Sequence, residues 1–290
     1  MGVKNTGAWD VLEVLPKRRT ESHKGDYGRL LIVGGGSRYV GAPALAGLAA
    51  LRSGVDLVTV AAPKKTAWAI NTKSHDLITI KLPCKDLEPS VLPEVFSEMK
   101  KSTAIIVGPG LGLQTETKKA VLKIAEKLRM TSTPALFDAD GLKALASKLS
   151  LARGMPWVLT PHAEEFKVLS GFELPKNLQA RAQKVGDFAE RVGCTMILKS
   201  NVDIISSPEG TRFNRTGNPG MTVGGTGDVL SGIVGAFLAQ GVKPFKAAIA
   251  GAWASGRAGD MCYREKGYEF LASDVIDKLP DVFREVRRRK

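Results

Sequence analysis

A chain of 290 residues, 43% hydrophobic and 24% charged, has the balance of a soluble globular protein and the length for a substantial α/β core, which excludes large-scale disorder. The formal net charge of +13 raises nucleic acid as a partner, but the basic runs Lys17–Arg19 and Arg284–Lys290 carry no interleaved aromatics and no recognition motif. A basic surface or a polyphosphate ligand accounts for the charge better, and no nucleic acid is expected. Cys84, Cys194 and Cys262 are odd in number and far apart, His23, His75 and His162 are scattered, and there is neither an apolar signal core nor a run of about 18 apolar residues. These features argue against a disulfide framework, a structural zinc site, secretion and a membrane span, and a reducing, cytoplasmic setting is expected.

Taken in order, the chain alternates strands and helices. A short amphipathic helix over 9–15 precedes a charged loop, and Arg29–Val33 is a compact apolar strand running into Gly34-Gly35-Gly36. That triple glycine is neither a dinucleotide fingerprint, since Tyr39 stands where the third glycine belongs, nor a P-loop, since Ala42 and Pro43 follow Gly41. It reads as a tight turn or a loop that approaches a ligand. A helix over 42–53, a strand over 55–62, a helix over 63–71 and a strand over 77–80 come next. A proline-marked segment over 83–93 then leads into a helix ending near Lys101. The strand 103–107 opens into Gly108-Pro109-Gly110-Leu111-Gly112, ahead of a helix over 115–129. Strand 135–137 ends in Asp138-Ala139-Asp140, and strand 157–159 in Thr160-Pro161-His162. Helices over 164–169 and 177–191 are followed by strands at 195–198, 202–206 and 211–213, the last two joined by a turn at Pro208-Glu209-Gly210. Three helices close the chain, one from Asp228, one over 245–263 and one over 273–288 interrupted at Pro280.

Such alternation predicts a mostly parallel sheet covered on both faces, read as one domain over 1–290. The glycine, acid, histidine and lysine clusters at Gly34, Gly108, Asp138, His162 and Lys199 each follow a strand directly. In a parallel sheet those ends share one edge, where open α/β folds bind ligands.

The stretch from Asn218 to Gly241 is the most telling. Gly220, Gly224, Gly225, Gly227 and Asp228 stand in front of an apolar helical pattern. Bare backbone N–H groups at a helix N-terminus form an anion site. Asp228 beside it reads either as a base kept ionised by the helix dipole or as a simple cap. Asp138 and Asp140 could hold Mg²⁺ through water, orient a basic residue, or cap the following helix. His162 with Glu165 places an imidazole and an acid on one side of a helix's first turn. Lys199 could neutralise a phosphate or stand charged in solvent.

Gly224-Gly225-Thr226-Gly227-Asp228, preceded by Asn218-Pro219-Gly220-Met221, resembles the ribokinase-like NAD(P)H-hydrate dehydratases, which repair hydrated nicotinamide cofactors. Lys24–Gly28, Gly41-Ala42-Pro43 with Ala49–Gly54, Gly108–Gly112, Asp138-Ala139-Asp140 and Leu159–His162 with Glu165 match the same family in order and spacing. The resemblance implies a ribokinase-like three-layer α/β/α fold. It implies that Ala42, Gly112, His162 and Asp228 contact the hydrated dinucleotide, and that Lys199, Ser200, Asn201, Val202, Asp203 and Gly227 contact the adenine nucleotide. Asp228 would be the catalytic base and Gly224, Gly225, Thr226 and Gly227 the anion hole. ADP or ATP would be co-substrate, with ADP expected and Mg²⁺ neutralising the polyphosphate. A homotetramer is implied, as is a separate epimerase partner, because many relatives carry an epimerase domain ahead of this one and none is read here. Two positions depart from the pattern. Ser200 stands where a glycine follows the lysine, which bears on the adenine nucleotide's fit. Ala163-Glu164 replace Pro-Gly after the histidine, which bears on the substrate loop. The rival readings are a thiazole- or pyrimidine-type small-molecule kinase of the same superfamily and a non-catalytic nucleotide or nucleic-acid binder.

Overall fold

The computed structural model describes residues 3–289. Its strands form one ten-stranded sheet in the order β1-β10-β9-β8-β7-β6-β5-β2-β3-β4. These are β1 (Lys4–Asn5), β2 (Arg29–Val33), β3 (Leu57–Pro63), β4 (Ile78–Leu82), β5 (Ala104–Val107), β6 (Ala135–Phe137), β7 (Trp157–Leu159), β8 (Thr195–Leu198), β9 (Asp203–Ser207) and β10 (Gly210–Asn214). From β4 across to β8 every pairing is parallel. Only β9, between β8 and β10, runs the other way. The chain builds outward from β2 to β3 and β4, then returns to place β5 on the other side of β2 and continues to β8. The strand order therefore reverses between β2 and β5, the position where open α/β sheets form a crevice.

Strand residues alternate between the two faces. Leu30 and Ile32 of β2 and Ala104 and Ile106 of β5 join one buried cluster, while Leu31, Val33, Ile105 and Val107 join the other. The first cluster is completed by α1 (Ala8–Val14), α2 (Gly41–Arg52), α3 (Lys64–Lys73), α9 (Thr226–Ala239), α10 (Pro244–Lys266) and α11 (Ala272–Arg287). The second is completed by α4 (Leu92–Met99), α5 (Thr115–Thr131), α6 (Ala139–Leu145), α7 (Ala163–Ser170) and α8 (Leu178–Val192). The result is the expected three-layer α/β/α arrangement.

Three features go beyond the sequence expectation or differ from it. β1 is only two residues long and pairs parallel to β10, too short for periodicity to reveal. α11 runs unbroken through Pro280. A proline inside a helix costs about 3 kcal/mol, but Val275, Ile276, Leu279, Val282, Phe283 and Val286 are all buried on this helix, and that packing outweighs the lost hydrogen bond. Finally, the Lys24–Gly28 motif lies at the start of β2, on the edge opposite the strand ends. Its Gly25 and Tyr27 N–H groups donate to Asp56 Oδ2 at 2.9 and 3.0 Å, so its work is structural.

α9 is buried along almost its whole length and lies directly on α2. A Cβ placed on Gly232 would sit 2.1 Å from the Ala46 carbonyl oxygen and 2.9 Å from Ala49 Cβ, so the two helices approach only because that side chain is missing. Gly232→Ala is expected to lower the unfolding free energy by about 1–3 kcal/mol in denaturant titration, although alanine favours helix.

Candidate active site

The parallel register puts the ends of β2, β5, β6, β7 and β8 side by side, as the sequence implied. At the reversal point the Gly34–Gly36 and Gly108–Gly112 loops touch. The Gly35 N–H donates to the Pro109 carbonyl at 2.7 Å, and a Cβ on Gly110 would lie 3.0 Å from Tyr39 Cβ and 3.5 Å from Ala42 Cβ. Gly108 has φ +136°, and a Cβ there would fall 1.8 Å from the Asp138 carbonyl oxygen, so no other residue fits between β5 and the start of α6. The Gly112 N–H donates to Asp140 Oδ2 at 2.9 Å.

Across the crevice stands the mouth of α9. Its cap position is Gly225 at φ +99°, which has no side chain to cap with. The first intrahelical bond runs from the Val229 N–H to the Gly225 carbonyl at 3.0 Å, leaving the N–H groups of Thr226, Gly227 and Asp228 without a helical partner. The Thr226 hydroxyl is turned to the Met221 carbonyl at 2.7 Å and shapes the turn, so the anion-binding groups here are backbone amides. Asp228 occupies the third helical position and forms no capping box; the capping reading does not hold.

The two acids at the end of β6 are both taken by lysines. Asp138, 2% exposed, accepts from Lys199 Nζ at 2.8 Å, the Thr160 hydroxyl at 2.8 Å and the Ser231 hydroxyl at 2.7 Å. Asp140 pairs with Lys143 at 3.3 Å. Buried Glu165 lies 4.0 Å from Lys199 and 3.8 Å from Lys143. Burial alone would raise the Asp138 carboxyl, but the Lys199 ammonium and the three hydrogen bonds outweigh it and hold it below the usual aspartate value. Burial would likewise lower the Lys199 ammonium; the Asp138 and Glu165 carboxylates overcome that and hold it above its usual value. Of the readings of Asp138 and Asp140, the structure shows both acids orienting a lysine, with Asp138 also standing at the N-cap of α6 without a side-chain capping bond. Among the described residues no group of three or more His, Cys, Asp or Glu side chains gathers to hold a metal.

His162 caps α7 with Glu165 as its reciprocal partner. The Glu165 N–H donates to His162 Nδ1 at 3.4 Å and the His162 N–H to Glu165 Oε2 at 3.1 Å. The ring stays half-exposed and lines a cleft of about 720 Å³ that runs from Lys199 to Gly227. Lys199, Ser200, Asn201, Asp203, Thr226 and Gly227 line it as well. Ala42, Gly112, Val202, Gly224, Gly225 and Asp228 do not. Val202 packs against the core, Ala42 lies in the first turn of α2 and Gly112 in the loop after β5, both at the reversal point. Lys199 Nζ lies 3.6 Å from where a Cβ on Gly227 would sit, so the lysine reaches the α9 mouth.

Part of this cleft was not foreseen. Thr216, Gly217 and Thr222 come from the segment before α9, and Ala252, Ser255 and Gly256 from α10. The last three are small residues at helical spacing in a helix otherwise readable as plain core. A Cβ on Gly256 would strike Thr216 Oγ1 at 2.3 Å, which is why a glycine stands there. Asp260 on the same helix accepts from the Gly217 N–H and the Asn218 side chain, both at 3.2 Å, and pins the loop. The two departures noted in the sequence are accommodated. Ser200 does not have positive φ, so its position needs no glycine, and its hydroxyl donates to Asn201 Oδ1 at 3.0 Å. Ala163 and Glu164 form the exposed first turn of α7.

Burial first, and the Asp138 charge second, push the Asp228 carboxyl from 3.8 up to about 7, with Lys199 pulling partly back. This corrects the expectation of an acid kept ionised by the helix dipole. Partial burial in a site that already holds the Asp138 anion disfavours the charged form. A carboxyl raised in the folded state stabilises the fold below its unfolded pKa, and that stability is lost as pH rises from about 4 to about 7. Asp228→Asn should therefore raise the unfolding temperature at pH 8 by about 2–5 °C, with the gain vanishing towards pH 4, as scanning calorimetry at the two pH values will record.

A parallel sheet whose strand ends face a glycine-mouthed helix across a nucleotide-sized cleft defines a ribokinase-like protein, and solved structures of that class share the fold. Residues 30–281 match the Carb_kinase family, described as NAD(P)H-hydrate dehydratase, and the chain belongs to this family. It is 42% identical to the bifunctional NAD(P)H-hydrate repair enzyme Nnr of Pyrobaculum aerophilum over 92% of this chain and 52% of that protein. The chain thus spans about half the length of the bifunctional relatives it matches. It is 35% identical to the ADP-dependent (S)-NAD(P)H-hydrate dehydratase of Cenarchaeum symbiosum over 98% of both chains. The crystal structure of the ADP/ATP-dependent NAD(P)H-hydrate dehydratase of Bacillus subtilis, co-crystallised with ATP and Mg²⁺, superposes with a TM-score of 0.81 at 25% identity over 99% of each chain.

Proposed function

We propose that this protein dehydrates the S form of hydrated NADH and NADPH, restoring the dihydronicotinamide at the expense of ADP or ATP, with ADP the expected donor. The observation that carries the reading is Asp228. It is a carboxyl with raised proton affinity at the third position of a helix whose first N–H groups are unpaired, beside a cleft sized for a nucleotide.

The adenine nucleotide lies in that cleft against Lys199, Ser200, Asn201, Asp203 and Gly227, its terminal phosphate at the α9 mouth, while Val202 backs the wall from the core. The hydrated dinucleotide enters from the reversal point, past Ala42 and Gly112, with His162 at its flank. Asp228 takes the proton from the ring hydroxyl as the hydroxyl oxygen bonds to the terminal phosphorus and the bond to the departing nucleotide breaks. The Gly224, Gly225, Thr226 and Gly227 amides hold the charge that builds on the transferring group. The phosphate ester then leaves with its electron pair as the neighbouring ring carbon loses a proton, which restores the ring double bond. One nucleotide phosphoanhydride is spent and inorganic phosphate is released. Mg²⁺ accompanies the nucleotide as counter-ion to its phosphates. The proposal extends to a cytoplasmic homo-oligomer, a homotetramer, supplied with the S epimer by an NAD(P)H-hydrate epimerase.

Asp228→Asn is expected to retain nucleotide affinity within a few-fold by calorimetric titration and to lose turnover by about 10³-fold or more. Turnover near the wild-type rate contradicts the assignment of the base. Accumulation of a stable phosphorylated organic product by the unmodified protein would instead point to a kinase.

A further inference from the structure

The reaction as proposed leaves Asp138 unused, although it is the acid most deeply buried at the strand ends, 2% exposed. Three donors from three elements hold it. Thr160 follows β7 and Lys199 follows β8, while Ser231 lies on α9 one turn after Asp228. One donor is a cation and the other two are hydroxyls, so Asp138 is fixed as an anion directly beneath the helix mouth. Lys199 Nζ lies 3.6 Å from where a Cβ on Gly227, the residue before Asp228, would sit, yet its ammonium is committed to Asp138 at 2.8 Å.

Of the charges around α9, Asp138 and Lys199 are the two that act on Asp228. On the β6, β7 and β8 side, Glu165 is shared between Lys199 and Lys143, with His162 as its capping partner. α2 carries a single charged residue, Arg52, in its last turn, and β2 carries Arg29 at its start, the edge opposite the site; β5 carries none. On α10 and α11, Asp260 holds Gly217 and Asn218, Arg257 pairs with Glu285, Lys266 with Asp274 and Lys278 with Glu265.

We propose that Asp138 is a positioning residue for turnover: by holding the Lys199 ammonium against itself beneath α9, it keeps that cation from pairing with Asp228 and leaves Asp228 free to take the hydroxyl proton. This rests on the assignment of Asp228 as the base. The electrostatics agree with the geometry, since the Asp138 charge raises the Asp228 carboxyl and Lys199 lowers it. Asp138 acts only through its neighbours and touches neither ligand.

The test is the pH dependence of kcat/KM for the hydrated dinucleotide at saturating nucleotide. In the unmodified protein the acid limb is expected near neutrality; a limb near pH 4, the range of an ordinary aspartate, overturns the proposal without any variant. In Asp138→Asn, and in Asp138→Ser should the first fold poorly, the limb is expected to move to lower pH by about one unit or more with a lower plateau, because a weaker base is ionised earlier. Ser231→Ala removes one hydrogen bond but keeps the charge and should leave the limb in place. A fall in rate and in unfolding temperature with an unmoved limb would make Asp138 merely structural and overturn the proposal. If Asp228→Asn keeps both its activity and its acid limb, the base assignment itself fails, an outcome distinct from the others.

Discussion

A carboxylate removed from water must find its counter-charge and its hydrogen bonds inside the protein, or cost several kcal/mol. Asp138 meets that requirement with groups drawn from three places that are far apart in sequence, Thr160, Lys199 and Ser231. Satisfying one buried anion therefore fixes how α9 sits over the ends of β6, β7 and β8. It also fixes where Lys199 points, and so what Asp228 sees. Asp140 works in the same way on the other side, holding the Gly112 amide and Lys143, while Glu165 links the two lysines. The strand ends are joined by a continuous chain of opposite charges, and the two glycine-rich loops hang from it.

This arrangement accepts instability in return for reactivity. An aspartate beside a second anion, in a half-buried mouth, is held in a proton affinity it would not have in water. The surrounding packing tolerates it because the sheet is covered on both faces and α9 is itself buried against α2, α10 and β5. The basic surplus is handled differently. Arg284 pairs with Asp281, and Arg289 and Arg257 share Glu285, so part of the C-terminal charge is internal to α10 and α11.

Most of the fold was legible in the sequence, because an alternating strand and helix pattern in a parallel sheet is dictated by local periodicity. What escaped it was decided by tertiary contact. The two-residue β1 exists only because β10 lies beside it, and Pro280 is carried through α11 by apolar packing that no local rule anticipates. The site was legible to the extent that its residues follow strands directly, as Gly108, Asp138, His162 and Lys199 do. The cleft wall from α10 was not, since Ala252, Ser255 and Gly256 look like any small-residue helix until Thr216 and the pinned loop are set against them. The charge state of Asp228 was misjudged for the same reason. A helix dipole can be read from sequence, whereas the anion that opposes it lies 90 positions away at Asp138.

The most direct test is to mix the purified protein with the S form of hydrated NADH, Mg²⁺ and either ADP or ATP, and to follow the dihydronicotinamide absorbance band. Recovery of that band, dependent on one or both nucleotides and accompanied by release of inorganic phosphate, is the predicted result. A folded protein that binds nucleotide yet restores no absorbance with either donor would contradict it.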